Sequence, residues 1–266
     1  MFDEAKFLAT VNKRLFGGKM DESQAAGIKA VLEETKVRGI TDLRYPAYML
    51  GTMKVETNAT MQPVREAYWL SENWRRINLR YWPYYGRGLV QITWLDNYRK
   101  MTKLLRDRFI AKYPDFDLVK NPDQALIPEI ATAIMFEGMM NGDSLDGDFT
   151  GLALEDFFTS SNSNWIGARK IINGTDRDVE IAGIAQEFYN AFLGKEAPPR
   201  ILEYGMHGPD VFSLQAALSA EGFYKANIDD DFGRITQAAV KAFQKSHGLV
   251  VDGKVGPITR AALKLK

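Results

Sequence analysis

Apolar and polar positions follow two different rhythms along this chain, and each predicts its own kind of element. Between Pro46 and Thr60 the sequence PAYMLGTMKVETNAT sets Met49, Leu50 and Met53 on one helical face. Glu56 follows at i+3 from Met53 and i+7 from Met49, so a carboxylate closes an apolar stripe. Further along, Val90, Ile92 and Trp94 alternate with Gln91 and Thr93, a period of two that predicts a short strand opened by Gly86-Arg87-Gly88. Such a strand would carry Gln91 and Thr93 side by side on its polar face.

The helical rhythm returns in the last quarter of the chain. Val211, Leu214, Leu218 and Phe223 form one stripe, Ala239, Val240 and Phe243 a second, Ala261, Ala262 and Leu265 a third. Burying one face of each predicts a compact bundle of three short helices. Ahead of the second and third stripes lies an echo: DDDFGRIT from Asp229 and DGKVGPIT from Asp252, 23 residues apart. The echo reads as a duplicated turn-into-helix unit, with glycine for the tight turn and threonine to help cap the helix. Just upstream, GKEAPPR holds two prolines that cannot continue a helix. The expected organisation is therefore a first domain over residues 1–194, a linker over 195–200 and a second domain over 201–266.

Composition removes several kinds of chemistry. The 266 residues are 45% hydrophobic and 26% charged, as a globular protein requires. Lysine plus arginine and aspartate plus glutamate both number 34, so no net field favours nucleic acid or an anionic membrane. There is no cysteine, which rules out thiolate nucleophiles and cysteine metal sites, and the two histidines are His207 and His247, both near the C-terminus. Zinc hydrolases and serine triads need imidazole beside the reacting centre, so neither metal nor cofactor is expected and hydrolysis should rest on carboxylates. Charged residues interrupt the apolar ones from Met1 to Lys19, unlike a secretory signal, and no apolar run nears the roughly 20 residues that cross a bilayer.

Two acids stand out. A carboxyl closing an apolar stripe, as Glu56 does, suits a general acid, although helix ends also carry ordinary solvated acids. Glu66 lies past Pro63 and so on a different element, which lets the two face each other across a cleft. Glycoside hydrolysis needs such a pair: one acid protonates the leaving oxygen while the other attacks or activates water. From Tyr68 to Tyr85 the chain carries Tyr68, Trp69, Trp74, Tyr81, Trp82, Tyr84 and Tyr85, interleaved with Arg75, Arg76 and Arg80. Aromatic faces beside polar groups suit sugar rings, and equally serve as core.

Two resemblances sharpen this reading. The segments VFSLQAALSAEGFY, FGRITQAAVKAFQKSHGL and VDGKVGPITRAAL resemble the peptidoglycan-binding module of wall hydrolases. AYMLGTMKVETNATMQPVREAYW, YYGRGLVQITWLDNYRK and ARKIINGTDRD resemble, in order, the family 19 glycoside hydrolases, especially their phage endolysin branch. That resemblance implies a mainly α chain: a lysozyme-like α+β catalytic domain with a small β-hairpin, followed by the helical wall-binding domain. It implies Glu56 as general acid, Glu66 as base, and Thr93 as the hydroxyl orienting the attacking water. Gln91, Asn97 and Asn173, with Tyr85 and Arg87, would line the sugar cleft, and the family inverts configuration. Two departures stand: Val55 replaces the histidine that many relatives carry before the acid, and a longer spacing leaves Glu72 as a rival to Glu66.

The activity implied is cleavage of the bond between N-acetylmuramic acid and N-acetylglucosamine in peptidoglycan. A chitinase and a non-catalytic wall-binding protein are the alternatives. A phage lysin of this kind would be a monomer made in the host cytoplasm, released by a holin, and active on the wall in the periplasm or outside. Neither nucleic acid nor a membrane anchor is expected.

Overall fold

The computed structural model describes residues 2–140, 149–172, 174–195, 199 and 201–265. The chain divides into two compact units, Met1–Ala197 and Pro198–Lys266. Positions 196–198 and 200 of the expected linker lie outside the described residues. The protein is mainly α: among the described residues eleven α-helices and two short 3-10 helices accompany a single two-stranded sheet.

The first unit is built around helix α3 (Arg44–Glu56), which follows α1 (Glu4–Leu15) and α2 (Glu22–Val37). Asp3 caps α1, and Asp21 with Gln24 forms a capping box on α2, so both begin where short polar side chains replace missing backbone acceptors. Helix α3 is buried on nearly every face, from Pro46 to Met53 and at Val55. The sequence shows a stripe, but a helix at the centre of a domain has no solvent face, and Tyr48 and Thr52 are buried with the methionines. Gly51 is what brings the partner helix close. A Cβ there would meet the Ala185 Cβ of α8 (Asp178–Phe192) at 2.8 Å.

Strand β1 (Val64–Arg65) pairs antiparallel with β2 (Arg87–Gly88), Val64 opposite Gly88. Between them lies α4 (Glu72–Asn78), and after them α5 (Leu95–Phe109), α6 (Pro128–Met139) and the short α7 (Leu154–Phe157). The run from Leu89 to Trp94 is not the strand that its alternation predicts. Arg87 and Ile92 exchange both backbone hydrogen bonds, at 3.2 and 2.9 Å, and the chain turns between them through Gly88 (φ 85°) and Gln91 (φ 55°). Leu89, Val90 and Ile92 are all buried, because the tip of this turn is pressed into the core.

The second unit holds α9 (Pro209–Ala220), α10 (Arg234–Ser246) and α11 (Pro257–Ala262) around Val211, Leu214, Phe232, Val240, Phe243 and Val255. The echo 23 residues apart is a structural repeat with chemistry different from the one expected. Gly233 and Gly256 are extended N-caps at φ −79° and −84°, whereas the left-handed positions are Asp230 (φ 56°) and Gly253 (φ 72°). Nor does either threonine cap its helix. A buried glutamine reaches into each turn instead: Gln215 Nε2 donates to Asp229 (2.7 Å), Tyr224 (3.1 Å) and Thr236 (3.0 Å), and Gln244 Nε2 to Asp252 (2.8 Å) and Thr259 (3.2 Å). Their carbonyl oxygens accept the N–H groups of Asp229 and Asp230 in one turn and Gly253 in the other.

Candidate active site

A cleft of about 620 Å³ opens on the first unit and gathers residues from four stretches of sequence. Glu56 ends α3, Glu66 follows β1, and Gln91, Thr93 and Trp94 come from the turn after β2, with Asn97 in the first turn of α5. Phe149, Thr150 and Ile172 contribute from the segment between α6 and α8. Its size falls within the range of pockets that hold a small ligand or a few sugar rings.

The two acids sit in different surroundings. Glu66 Oε1 accepts a hydrogen bond from the Tyr81 hydroxyl at 2.8 Å, and Oε2 accepts one from the Gly86 N–H at 2.9 Å. Burial and this bond to Glu66 push the Tyr81 phenol up to about 12, so it stays a donor. Glycine at position 86 lets both side chains close on the backbone, since a Cβ would lie 2.7 Å from Gln91 Oε1 and 3.3 Å from Glu66 Oε2 and one of them would have to shift. Glu56 instead faces a cation. Arg169 Nη1 lies 2.7 Å from Glu56 Oε1 without hydrogen-bond alignment, and the guanidinium is otherwise anchored by Nε donating to the Asp176 carbonyl at 2.8 Å. Both partners are largely shielded, with side-chain exposures of 3% for Arg169 and 17% for Glu56. The apolar stripe thus ends on a charge pair, not an isolated carboxyl.

Gln91 and Thr93 share the cleft through the turn rather than through a strand face. Gln91 Nε2 donates to the carbonyls of Val64 and Gly88, pinning the turn to β1, and Thr93 Oγ1 donates to the Gln91 carbonyl at 2.8 Å. That bond spends the threonine proton and aims its lone pairs elsewhere, which suits a hydroxyl that holds a water by accepting from it. Asn97 Nδ2 holds the Thr93 carbonyl at 3.0 Å. Trp94 is 48% exposed, with Tyr81 edge-on at 5.0 Å and Arg80 over its face at 5.4 Å, a supported ring of the kind that stacks on sugars.

Tyr85 and Arg87 are in the core and not among the residues lining the cleft. The Arg87 guanidinium lies 3.7 Å from the Tyr85 ring centre, pairs with Asp123 at 2.8 Å and donates to the Pro83 carbonyl, which leaves it no reach toward a ligand. Glu72 also lies outside the lining. Burial pushes its carboxyl up, but hydrogen bonds from Trp82, Tyr85 and Arg75 outweigh this and hold it below the ordinary glutamate range. Asn173 lies outside the described residues. Arg169 is a polar group that sequence reading missed, marked only by an arginine set between Ile166 and Ile171, and Tyr81, expected as an aromatic face, serves Glu66 through its hydroxyl.

Among the described residues no cluster of histidine, cysteine, aspartate and glutamate could hold a metal ion. His207 faces Asp231 at 3.3 Å and His247 stacks on Phe243, both in the second unit. No helix among the described residues is long and apolar enough to cross a membrane.

Comparison with known proteins finds a family match within the second unit. Residues 207–263 match the peptidoglycan binding domain family. A spore cortex-lytic enzyme of Halalkalibacterium halodurans is 43% identical over 65 residues, 24% of this chain and 20% of that protein. The N-acetylmuramoyl-L-alanine amidases CwlL of Bacillus licheniformis and CwlM of Mycobacterium tuberculosis are 45% and 41% identical over 65 and 58 residues. These stretches cover 24% and 22% of this chain, and 18% and 14% of the two amidases. The matches thus span a fifth or less of these relatives' lengths. A crystal structure of the SleB N-terminal domain is 38% identical, with 24% of this chain and 89% of that chain covered at a TM-score of 0.24.

Proposed function

We propose that this chain hydrolyses the β-1,4 bond between N-acetylmuramic acid and N-acetylglucosamine in peptidoglycan, as an endolysin of the family 19 type. One observation carries the reading: Glu56 and Glu66 line the same cleft, together with Gln91, Thr93 and Asn97, on a chain that also bears a peptidoglycan-binding module.

In this mechanism Glu56 gives its proton to the glycosidic oxygen as the bond to the sugar C1 breaks. Water attacks C1 from the opposite face, and Glu66 takes up the proton that the water loses. Arg169 then faces the carboxylate that Glu56 has just become, so its charge helps most once the proton has moved, which is where stabilisation accelerates a reaction. Thr93 and Glu66 together hold the water, and Trp94 supports a sugar ring. The product anomer is inverted. Release by a holin, action on the wall as a monomer, and synthesis in a host cytoplasm complete the reading.

An amidase activity is the second reading, favoured by the names of two relatives. It needs a catalytic centre other than this acid pair, since both histidines lie in the wall-binding module. Parallel digestion of purified peptidoglycan and chitin oligomers tests the proposal. Wild type should clear peptidoglycan, and Glu56→Gln should lose a hundredfold or more in rate, on the order expected for a missing general acid. Release of chitin oligomers alone, or clearing that survives Glu56→Gln, contradicts it.

A further inference from the structure

The cleft answers its charges unevenly. Glu56 faces Arg169, whereas Glu66 is held by two neutral donors, the Tyr81 hydroxyl and the Gly86 N–H. Among the described residues that line the cleft, Arg80 is the one with a cationic side chain. It stands just past α4, is exposed, and holds its guanidinium 5.4 Å from the centre of the Trp94 ring. Tyr81 packs edge-on against that same ring at 5.0 Å while its hydroxyl holds Glu66. The Arg80 charge therefore sits beside the aromatic surface that would carry a sugar, one ring away from the side chain that holds the base.

Neighbouring arginines are used differently. Arg65 and Arg87 pair with Asp123, and Arg75 pairs with Glu72 while donating to the carbonyls of Ala67 and Leu70. Their charges are spent on holding the chain together. Arg80 has no carboxylate partner among the described residues, and the Trp94 ring is what its guanidinium lies against.

The two polymers that share the β-1,4 N-acetylglucosamine linkage differ in charge. Chitin is neutral. In peptidoglycan the lactyl group of N-acetylmuramic acid carries a stem peptide whose free carboxyl groups are ionised at neutral pH. A cleft lined by two carboxylates repels such a substrate, and a cation in the lining offsets that repulsion.

We propose that Arg80 binds a carboxylate of the stem peptide and so makes the cleft selective for peptidoglycan over chitin. The inference rests on the glycan-cleaving reading of this cleft. Trp94 stacks the sugar, and the guanidinium beside it donates to the carboxylate that the peptide of that sugar brings, the planar pairing for which arginine is suited. The contact forms before the glycosidic bond breaks and persists while it breaks, so it acts on KM and not on kcat.

The test uses soluble, uncrosslinked peptidoglycan strands in two forms: native, and with their carboxylates converted to neutral amides by carbodiimide and ammonia. Both are digested by the full chain as wild type, Arg80→Gln and Arg80→Lys. On native strands Arg80→Gln should raise KM about fivefold at unchanged kcat, the upper range for an exposed ion pair. Arg80→Lys keeps the charge and should recover part of that loss. On amidated strands wild type and Arg80→Gln should agree within about twofold, because the partner charge is gone. Added salt should narrow the gap on native strands. An equal loss on both forms overturns the proposal, since Arg80 would then serve Trp94 or Glu66 and not the stem; so does a wild-type KM for Arg80→Gln on native strands. Wild type that cuts neither form counts against the proposed function. Calorimetric binding of the same two ligands to wild type and Arg80→Gln then decides the carboxylate site by the same comparison.

Discussion

The two units bury polar side chains in opposite ways. In the wall-binding module, Gln215 and Gln244 are almost fully buried, and each spends its amide on the turn ahead of a helix, bonding side chains and backbone alike. In the first unit, the polar face of α3 behind Glu56 is just as buried, yet Tyr48 and Thr52 bond nothing. A saturated buried amide fixes one backbone conformation and belongs to the fold. A buried hydroxyl without a hydrogen-bond partner fixes no conformation and weakens the fold.

Breaking the saturated side should cost most. Gln215→Leu strips the acceptor from the N–H groups of Asp229 and Asp230 and should destabilise the module by about 3 kcal/mol, since each unpaired buried group costs about 1–3 kcal/mol. Retention of the full chain on purified walls at rising urea would show it, with the cleft's activity on soluble glycans unaffected. The first unit has a saturated group of its own in Glu34, paired with Arg108 at 2.5 Å and Arg38 at 2.7 Å. Glu34→Gln should cost about 2 kcal/mol, less than a fully buried pair because Arg108 is 40% exposed.

Glu34 also gives a pH dependence. Burial pushes its carboxyl up, but hydrogen bonds and charge from Arg108 and Arg38 outweigh this and hold it below the ordinary value of 4.5. Its contribution is complete above that value and is lost as pH falls through the lower folded one. Urea unfolding followed downward from pH 6 should therefore show a smaller acid loss in Glu34→Gln than in wild type.

Smaller changes sharpen the contrast. Tyr81→Phe leaves Glu66 with the Gly86 N–H as its remaining donor and should reduce kcat on peptidoglycan about tenfold, the loss of one charge-assisted hydrogen bond. Asp230→Gly relieves the left-handed backbone that Gly253 occupies in the equivalent turn and should stabilise the module by about 0.5 kcal/mol, read as a small rise in the urea midpoint of wall retention.

Much of this arrangement was legible in the sequence, and the remainder was hidden for physical reasons. Helical stripes gave the mainly α character, and five residues that the family resemblance names, Glu56, Glu66, Gln91, Thr93 and Asn97, line one cleft. The alternation from Val90 to Trp94 misled because a four-residue turn buried at its tip leaves the same apolar signature as a strand. Tyr85 and Arg87 belong to the same motif yet serve its packing, so a motif residue need not touch a ligand. Arg169 was hidden because its partner Glu56 lies far away along the chain, and only tertiary approach joins them.

The central claim is that Glu56 and Glu66 cut glycan strands, and the direct test is mass spectrometry of soluble fragments released from purified peptidoglycan by wild type and Glu56→Gln. Muropeptides ending in reducing N-acetylmuramic acid, released by wild type and absent with Glu56→Gln, are the predicted result. Free stem peptides with intact glycan strands, or identical fragments from both proteins, would contradict it.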